Sequence, residues 1–408
     1  MKPLRKRRGD LIATVGIGAL TAALVAGTWA LAPIRHSELV VEDSLQSDAK
    51  QVNALTLPNE LHERWTAQAP PGWQVPLIAA GYPVAFDAQQ RRLSSLDPTS
   101  GSVRWGYERD VPLCAVSTAW NAVVADYQTG RGCGDVVSIN AAEGSYKATR
   151  SAHASQQVAP IASNDRVGIV SPERVELWRS DLVRTVVYGE VDIKQEPGQQ
   201  PHPECTISSA LTRGTLLAVA EQCENNTFVR LQTPDPEESS TPEVQASIKL
   251  KAGSQVVAIN ASRVAIYEPG STAHLYVFDA QGKQVSARAI PESADIQSLQ
   301  QGIYTPHNAQ AGRFLQWFDG DRLYVLDAKT LDTVRVFEQA IGTGTMVGLD
   351  LVLPTREGAE QYPTRGTELF DAAKSIPIDR NGSSERVSLA FSAQTLIEQR
   401  GEQLVGLN

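Results

Sequence analysis

The four cysteines are the residues of this sequence most able to do covalent or metal chemistry: Cys114, Cys133, Cys205 and Cys223. Structural zinc sites usually contain cysteines two to four residues apart, whereas the cysteines within each successive pair here are 19 and 18 residues apart. Each interval brackets one apolar segment that reads as a hairpin. The spacing therefore predicts two disulfides, Cys114–Cys133 and Cys205–Cys223, in an oxidising compartment, with four unpaired buried thiols as the alternative.

The histidines form no recognisable catalytic or metal-binding pattern. Six are present, and no two lie four residues apart, as ligands on one helix face would. His202 stands beside Glu204 and Cys205, but a proline-rich loop that leads into a disulfide explains this group without a ligand. The sequence also has no G-x-S-x-G elbow and no P-loop motif. We therefore predict no catalytic residue, no metal and no bound cofactor, and a protein that is not an enzyme.

Charge is distributed unevenly along the chain. The net charge is −9, yet five of the first eight residues are basic. The body of the chain beyond residue 35 is therefore more acidic than the total indicates. An acidic body argues against nucleic acid as a partner and against direct adsorption to anionic lipid.

An apolar stretch follows the basic tail. Residues 11–34 contain no charged side chain, and about 20 apolar residues in a helix span the hydrocarbon core of a bilayer. The basic residues place residues 1–10 in the cytoplasm and the body outside the plasma membrane, which makes the segment a single-pass anchor. A cleaved signal peptide is the alternative, because residues 30–32 resemble a cleavage site, but the stretch is longer than is usual for one. Small residues that recur every four positions favour weak homodimerisation through this helix; they include Gly18, Ala22 and Ala26.

The remainder of the chain must supply the elements that hold the cysteines, and it is repetitive. The stretch SLDPTSGSVRW reads as an apolar strand, a polar pivot at Asp97, a turn at Gly101 and a second strand that ends at Trp105. Similar units recur at intervals of 37–53 residues. A period in the forties fits four short antiparallel strands with their turns, which form one blade of a propeller. The eight pivots are Asp97, Asn140, Arg179, Gln232, Asp279, Asp327, Asp371 and Asn408.

The two ends of the repetitive region complement one another. The last repeat stops where its fourth strand should begin, while residues 64–68 read as an outer strand whose Trp65 matches Trp105. We expect this strand to complete the last blade, since closure removes exposed sheet edges. The predicted fold is all-β, an eight-bladed propeller over residues 61–408, joined to the membrane helix by a linker at 35–60. Seven blades are the alternative, if one of the weakest repeats is misread.

The first repeat resembles a known motif. SLDPTSGSVRW is similar to the A-x-D-x-x-T-G-x-x-x-W repeat of the PQQ-like, or quinoprotein dehydrogenase-like, β-propeller family, with Asp97, Gly101 and Trp105 at matching positions. In that family the Asp and the turn fix the hairpin, and the Trp packs between blades. With its N-terminal anchor, the chain is similar to membrane-anchored PQQ-like proteins of actinobacterial envelopes. Quinoprotein dehydrogenases hold their quinone under a disulfide between adjacent cysteines. The cysteines here are far apart, so the resemblance implies the fold without the cofactor.

These features favour a function in binding. We predict a non-enzymatic, membrane-anchored scaffold that interacts with other envelope proteins outside the cytoplasm. The alternative is an extracytoplasmic enzyme or small-ligand sensor with a site at the central channel of the propeller. Loops on a rigid scaffold commonly carry binding residues, and the longest polar insertions lie at 194–204, 233–243 and 354–366. If they are not functional loops, they are tolerated surface insertions.

Overall fold

The computed structural model describes residues 8–42, 56–299, 302–380 and 386–408. The N-terminal part contains α1 (Arg8–Ala30), a 3-10 turn (Pro33–His36), β1 (Ser37–Val41) and β2 (Glu63–Gln68). By length and composition, α1 is apolar enough to cross a membrane, and none of its residues is buried against the rest of the described chain. It ends before the predicted boundary at residue 34, because a proline disfavours helical backbone in the residue that precedes it. Most of the predicted cytoplasmic tail, residues 1–7, lies outside the described residues.

Eight antiparallel sheets follow, and each is one propeller blade. In blades 2 to 7 the chain runs from an inner to an outer strand, and inner strands of neighbouring blades contact one another. The first four blades consist of β3 (Ile78–Ala79), β4 (Tyr82–Asp87), β5 (Arg92–Leu96) and β6 (Val103–Arg109); β7 (Leu113–Ala119), β8 (Ala122–Thr129), β9 (Gly132–Asn140) and β10 (Tyr146–Ser151); β11 (Ala159–Ala162), β12 (Val167–Val170), β13 (Arg174–Trp178) and β14 (Arg184–Gly189); and β15 (Thr206–Arg213), β16 (Leu216–Cys223), β17 (Asn226–Gln232) and β18 (Val244–Lys251).

The remaining blades confirm the predicted count of eight. A short helix, α2 (Ala294–Ser298), lies between blades 5 and 6, and β2 supplies the outer strand of blade 8. These blades consist of β19 (Gln255–Ile259), β20 (Arg263–Glu268), β21 (Ala273–Asp279) and β22 (Gln284–Ile290); β23 (His307–Ala311), β24 (Phe314–Phe318), β25 (Leu323–Asp327) and β26 (Thr333–Phe337); β27 (Thr345–Val347), β28 (Asp350–Thr355), β29 (Gly358–Arg365), β30 (Glu368–Leu369) and β31 (Lys374–Pro377); and β32 (Val387–Ser392), β33 (Thr395–Arg400) and β34 (Gln403–Leu407).

The hydrophobic core is divided among the spaces between neighbouring blades. Trp105 and Tyr107 of blade 1, for example, share one buried cluster with Val123 and Tyr127 of blade 2. A strand covered on both faces can be apolar at every position rather than at alternate ones. The strand β12, whose four residues are all buried, shows this pattern.

The loops lie on two opposite faces because the strands are antiparallel. The connection face carries the links from the outer strand of one blade to the inner strand of the next, together with the turns between second and third strands. The pivot face carries the turns between first and second strands and those between third and fourth strands. The pivot residues of the repeats, such as Asp97, therefore lie on the pivot face.

The predicted linker at 35–60 is structured in two places, which corrects its description as a plain tether. β1 pairs along its length with β6, with Ser37 opposite Arg109, so blade 1 has five strands. Leu57 is buried with the core of blades 7 and 8. Residues 43–55 lie outside the described residues. The segment departs from the prediction because its apolar side chains find partners on distant strands, which local sequence patterns do not show.

Blade 7 differs from the predicted repeat. The sequence predicts a third strand that ends at a pivot, Asp371, but the third strand is β29, which ends at Arg365. Asp371 lies in the longer connection that follows, where Arg335 of blade 6 pairs with it at 3.3 Å. The predicted insertion at 354–366 is largely strand, since β28 and β29 form a hairpin there.

The other two predicted insertions fold together over the outer edge of blade 3. The N–H of Val187 in β14 donates to the carbonyl of Ser239, at 2.8 Å. Gln200, which is buried, donates through Nε2 to the carbonyl of Ser240, at 2.7 Å. Residues 194–204 and 233–243 therefore cover an edge strand that would otherwise offer unpaired backbone groups.

Candidate functional site

The repeat motif builds a rigid turn on the pivot face of blade 1. Asp97 Oδ1 accepts hydrogen bonds from the N–H groups of Thr99 and Ser100, at 3.0 and 2.8 Å, as Asp commonly does in turns. Gly101 has a φ of +70°, a region that favours glycine. Asp327 accepts the two equivalent bonds in blade 6, both at 2.8 Å. The pivots therefore shape the hairpins.

Two tryptophans join neighbouring blades. Trp65 Nε1 donates to the carbonyl of Pro98 at 2.9 Å, and its ring covers Gly101, where a Cβ would overlap the ring. Trp105 is fully buried and donates to the carbonyl of Ala141 at 2.8 Å. Trp65 thus links blade 8 to blade 1, and Trp105 links blade 1 to blade 2. The motif residues selected from the sequence have structural contacts in this arrangement.

Both disulfides are present. Cys114 is bonded to Cys133 within blade 2, and Cys205 is bonded to Cys223 within blade 4. The carboxylate of Glu221 lies within 4.8 Å of the sulfurs of the second bridge. Metal ions take cysteine as the thiolate, and a bridged sulfur offers none. The group therefore acts as a covalent tie of blade 4 rather than as a ligand set.

Buried ion pairs occupy the interface between blades 2 and 3. Glu176 pairs with Arg150 and, at 2.6 Å, with Arg174, while Trp178 Nε1 donates to the same carboxylate at 2.7 Å. Asp126 is buried nearby. Burial and the negative charge of Glu176 raise the pKa of Asp126 well above its ordinary value. The charge of Glu176 is therefore balanced by arginines within the fold, whereas burial and the nearby Glu176 disfavour the ionised form of Asp126.

Two further carboxylates are held in the same way. Glu221 accepts from Arg230 at 2.6 Å and from the hydroxyl of Tyr188 at 2.7 Å, which joins blades 3 and 4. Glu398 of blade 8 pairs with Arg380 and with Arg400, both at 2.7 Å. A buried charge left without a partner would be strongly destabilising. We therefore assign these groups to the packing of the blades.

Two segments of the connection face extend across the propeller axis. The segment between β2 and β3 reaches blade 2, where Trp73 Nε1 donates to the carbonyl of Val116 at 2.5 Å. The segment between blades 5 and 6 reaches blade 4, where the N–H of Tyr304 donates to the carbonyl of Ser208 at 2.7 Å. The first segment also packs Gly72 against Pro160 of blade 3, and the second packs Ile303 against the core of blades 3 and 4, so both lie over this end of the central channel.

His307 lies where these segments meet the inner strands. Its Nε2 lies 2.5 Å from Ser388 Oγ of blade 8, and the backbone of Gln74 lies near its ring. Burial, reinforced by the positive charge of Arg386, lowers the pKa of His307 to about 3. The imidazole is therefore neutral over the physiological pH range. Its hydrogen bond with Ser388 joins blade 6 to blade 8.

The rim of the molecule closest to α1 lies on the connection face of blade 1. Six residues separate the end of α1 from β1, a length that spans at most about 20 Å. The guanidinium of Arg35 stacks 3.6 Å from the ring centre of Trp29. A cavity of about 420 Å³ begins beside it and is lined by Arg35, Arg91 and Asp110, among others. Sequence reasoning missed this rim because it treated the segment as a tether.

An exposed apolar patch lies on the pivot face of blade 7, and we define it as Leu349 and Phe370. Leu349 is 77% exposed and occupies the two-residue turn between β27 and β28; Phe370 is 47% exposed. Thr364 joins them, since its hydroxyl donates to the carbonyl of Leu349 at 2.7 Å and its strand neighbour Pro363 accepts from the N–H of Phe370 at 3.0 Å. A leucine at the tip of a turn, where glycine, asparagine or aspartate is usual, is the sequence signal for this patch.

Comparisons with known proteins give similarities in structure without a family. No family model and no curated protein matches the chain. Among solved structures, BamB from Moraxella catarrhalis is similar with a TM-score of 0.46 and 11% identity, over 85% of this chain and 99% of that one. Hsv2 from Kluyveromyces marxianus gives 0.42 and 8%, over 71% and 90%; a chain of a mitotic checkpoint complex gives 0.41 and 9%, over 88% and 96%. The strand pairing of the chain itself defines it as an eight-bladed β-propeller that follows a helix able to cross a membrane.

Proposed function

We propose that this protein is a non-enzymatic scaffold, anchored in the plasma membrane by α1, that binds other envelope proteins outside the cytoplasm. The continuity between α1 and blade 1 carries this proposal. Six residues separate the helix from β1, and β1 is hydrogen-bonded along its length to β6. Such a joint would hold one rim of the propeller close to the bilayer, whereas a long tether would leave the propeller free.

Charge and cysteine usage support the same topology. Basic residues ahead of α1 favour a cytoplasmic N-terminus, and disulfides persist in oxidising compartments outside the cytoplasm. The resemblance of the whole chain, with its N-terminal apolar helix, to membrane-anchored PQQ-like proteins of actinobacterial envelopes agrees with this location. Retention of α1, rather than its cleavage as a signal sequence, is part of the proposal.

We favour binding over catalysis because several buried carboxylates are already paired with arginines. The buried carboxylates Glu176, Glu221 and Glu398 are all paired with arginine, and segments that contain Trp73 and Tyr304 lie across one end of the channel. An enzyme or sensor with a site in the channel would need those segments to move. A scaffold uses the outer faces and needs no such motion.

The patch formed by Leu349 and Phe370 is the surface that we assign to a protein partner. Large apolar side chains gather in an exposed position where the fold does not require them. The patch lies on the pivot face, whereas the rim closest to α1 lies on the connection face. A partner bound there would therefore not compete with the bilayer.

Membrane retention and topology test the anchor. A reporter that is active only outside the cytoplasm, fused after Asn408, should be active, and the protein should remain in the membrane fraction after a high-salt wash. A soluble mature chain that begins near Pro33 would show instead that α1 is a signal sequence.

Site-specific photocrosslinking tests the partner surface in intact cells. A photoreactive amino acid in place of Leu349 or Phe370 should give covalent adducts with another envelope protein. Val183 is a matched control, because it is 46% exposed and also lies on the pivot face, in blade 3. Equal adduct yields from all three positions, or none from the blade 7 positions, would contradict the assignment.

A further inference from the structure

A second cavity, of about 590 Å³, lies at the connection-face end of blades 1 and 2. Its floor includes Arg109, which is 4% exposed. Its mouth includes exposed residues of blade 2, among them Arg131, Thr149 and Ser151. Arg150 also lines the cavity, although its guanidinium pairs with Glu176 of blade 3.

The positive charge of this cavity is only partly matched. Asp135 pairs with Arg109, and Glu176 pairs with Arg150. Arg131 makes no ion pair within the described part of the chain, so one positive charge remains at the mouth. In addition, Arg109 Nε is buried and has no hydrogen-bond partner among the described residues. An anion that entered the cavity would meet a free cation and an unused buried donor.

The remaining polar groups suit a tetrahedral oxyanion. Thr129, Thr149 and Ser151 line the same cavity, and side-chain hydroxyls can donate to oxygen. Guanidinium groups bind phosphate through paired N–H donors, and such charge-assisted bonds are stronger than neutral ones. The combination of arginine forks and hydroxyls is therefore typical of a phosphate site.

The position of the cavity indicates where the phosphate would come from. Arg109 lies directly opposite Ser37, the first residue of β1. Ser37 follows the end of α1 by only a few residues, so the floor of the cavity is within about 20 Å of the end of the helix along the chain. Phospholipid headgroups lie at this level of a bilayer. The acidic body repels anionic lipid as a whole, but this local cavity has the opposite charge.

We propose that this cavity binds the phosphate ester of an anionic phospholipid headgroup and so fixes the orientation of the propeller on the membrane. The proposal rests on the anchored topology of the proposed function. A soluble phosphate ester has the same chemistry, and the experiment below distinguishes the two sources.

The full-length chain is reconstituted in nanodiscs of phosphatidylcholine that contain a minor fraction of phosphatidylglycerol with a photoreactive headgroup. After illumination, mass spectrometry should place lipid adducts within residues 130–151. Arg131→Gln should reduce their yield about tenfold, because it removes a charge-assisted contact. The double variant Arg109→Gln, Asp135→Asn should reduce it as well, and removal of both members of the ion pair protects the fold.

Arg179→Gln is the matched control, since it removes an exposed arginine on the pivot face and should leave the yield unchanged. Soluble glycerol 3-phosphate is added as competitor at the concentration of the labelled lipid: complete loss of adducts assigns the site to a soluble phosphate ester, and persistence assigns it to lipid. Equal yields for the Arg131 and Arg179 variants, or equal labelling by a photoreactive phosphatidylcholine, whose headgroup has no net charge, would overturn the proposed site for an anionic headgroup. Membrane retention is measured separately by fractionation, so a retained protein without adducts contradicts this inference alone.

Discussion

Replacement of Trp65 by alanine tests the joint where the two ends of the propeller meet. The ring is 8% exposed, and its Nε1 donates to the carbonyl of Pro98 at 2.9 Å. Removal of a buried tryptophan side chain costs about 3 to 5 kcal/mol, a range that includes the cavity left behind. The lost hydrogen bond adds about 1 kcal/mol. We therefore expect the free energy of unfolding of Trp65→Ala to fall by at least about 3 kcal/mol.

Denaturant unfolding of the full chain in non-ionic detergent, followed by circular dichroism, measures this change. Thr66→Ala is the control, because Thr66 is the next residue of the same strand and is exposed; its effect should stay within about 0.5 kcal/mol. Trp65→Phe keeps most of the ring and loses the N–H, so it should fall between the two. If Trp65→Ala and Thr66→Ala shift the unfolding midpoint equally, the Trp65 side chain does not stabilise the closure between blades 8 and 1.

Three other perturbations follow from the structure. Serine at both Cys114 and Cys133 should lower the free energy of unfolding by about 3 kcal/mol, because the bridge spans 19 residues, and a reductant should then have less effect on the melting temperature than it has on the unmodified protein. Asp126→Asn should stabilise the protein near pH 7: the raised pKa means that the folded state holds this proton more tightly than the unfolded state, so stability falls as the pH rises above about 4. The difference in melting temperature from the unmodified protein should shrink towards pH 4, and a difference independent of pH would contradict this origin. Deletion of residues 37–42 should lower the melting temperature and speed amide exchange in the strand that β1 covers; unchanged exchange would show that β1 adds no stability.

The blade count could be predicted because its signals are local. Asp97 and Asp327 accept from backbone groups two and three residues further on, so the residue type and the turn occur together in the sequence. The outer strand around Trp65 could also be recognised, since it matches Trp105 in another blade. Cysteine spacing predicted the disulfides for a similar reason, because each bridge lies within one blade.

The features that the sequence did not predict depend on contacts between distant residues. β1 is a short apolar run, and only its pairing with β6 distinguishes it from a linker. Phe370 reads as part of a strand, although it is an exposed residue in the connection after β29. The charges around Arg109 come from separate strands, which no single motif contains. Features of this kind can be recognised only once the strands are assembled into the propeller.

The pairing of β2 with β34 makes the order of synthesis matter for folding. Glu63 and Arg400 form an ion pair although they are 337 positions apart. Closure of so long a loop costs conformational entropy before any contact compensates for it, and non-local pairing slows folding. During synthesis β2 emerges early and stays unpaired until the final strands have been made. An incomplete chain therefore presents an open strand edge, which favours aggregation. The time needed to synthesise the last blade sets a lower limit on how fast the propeller can close.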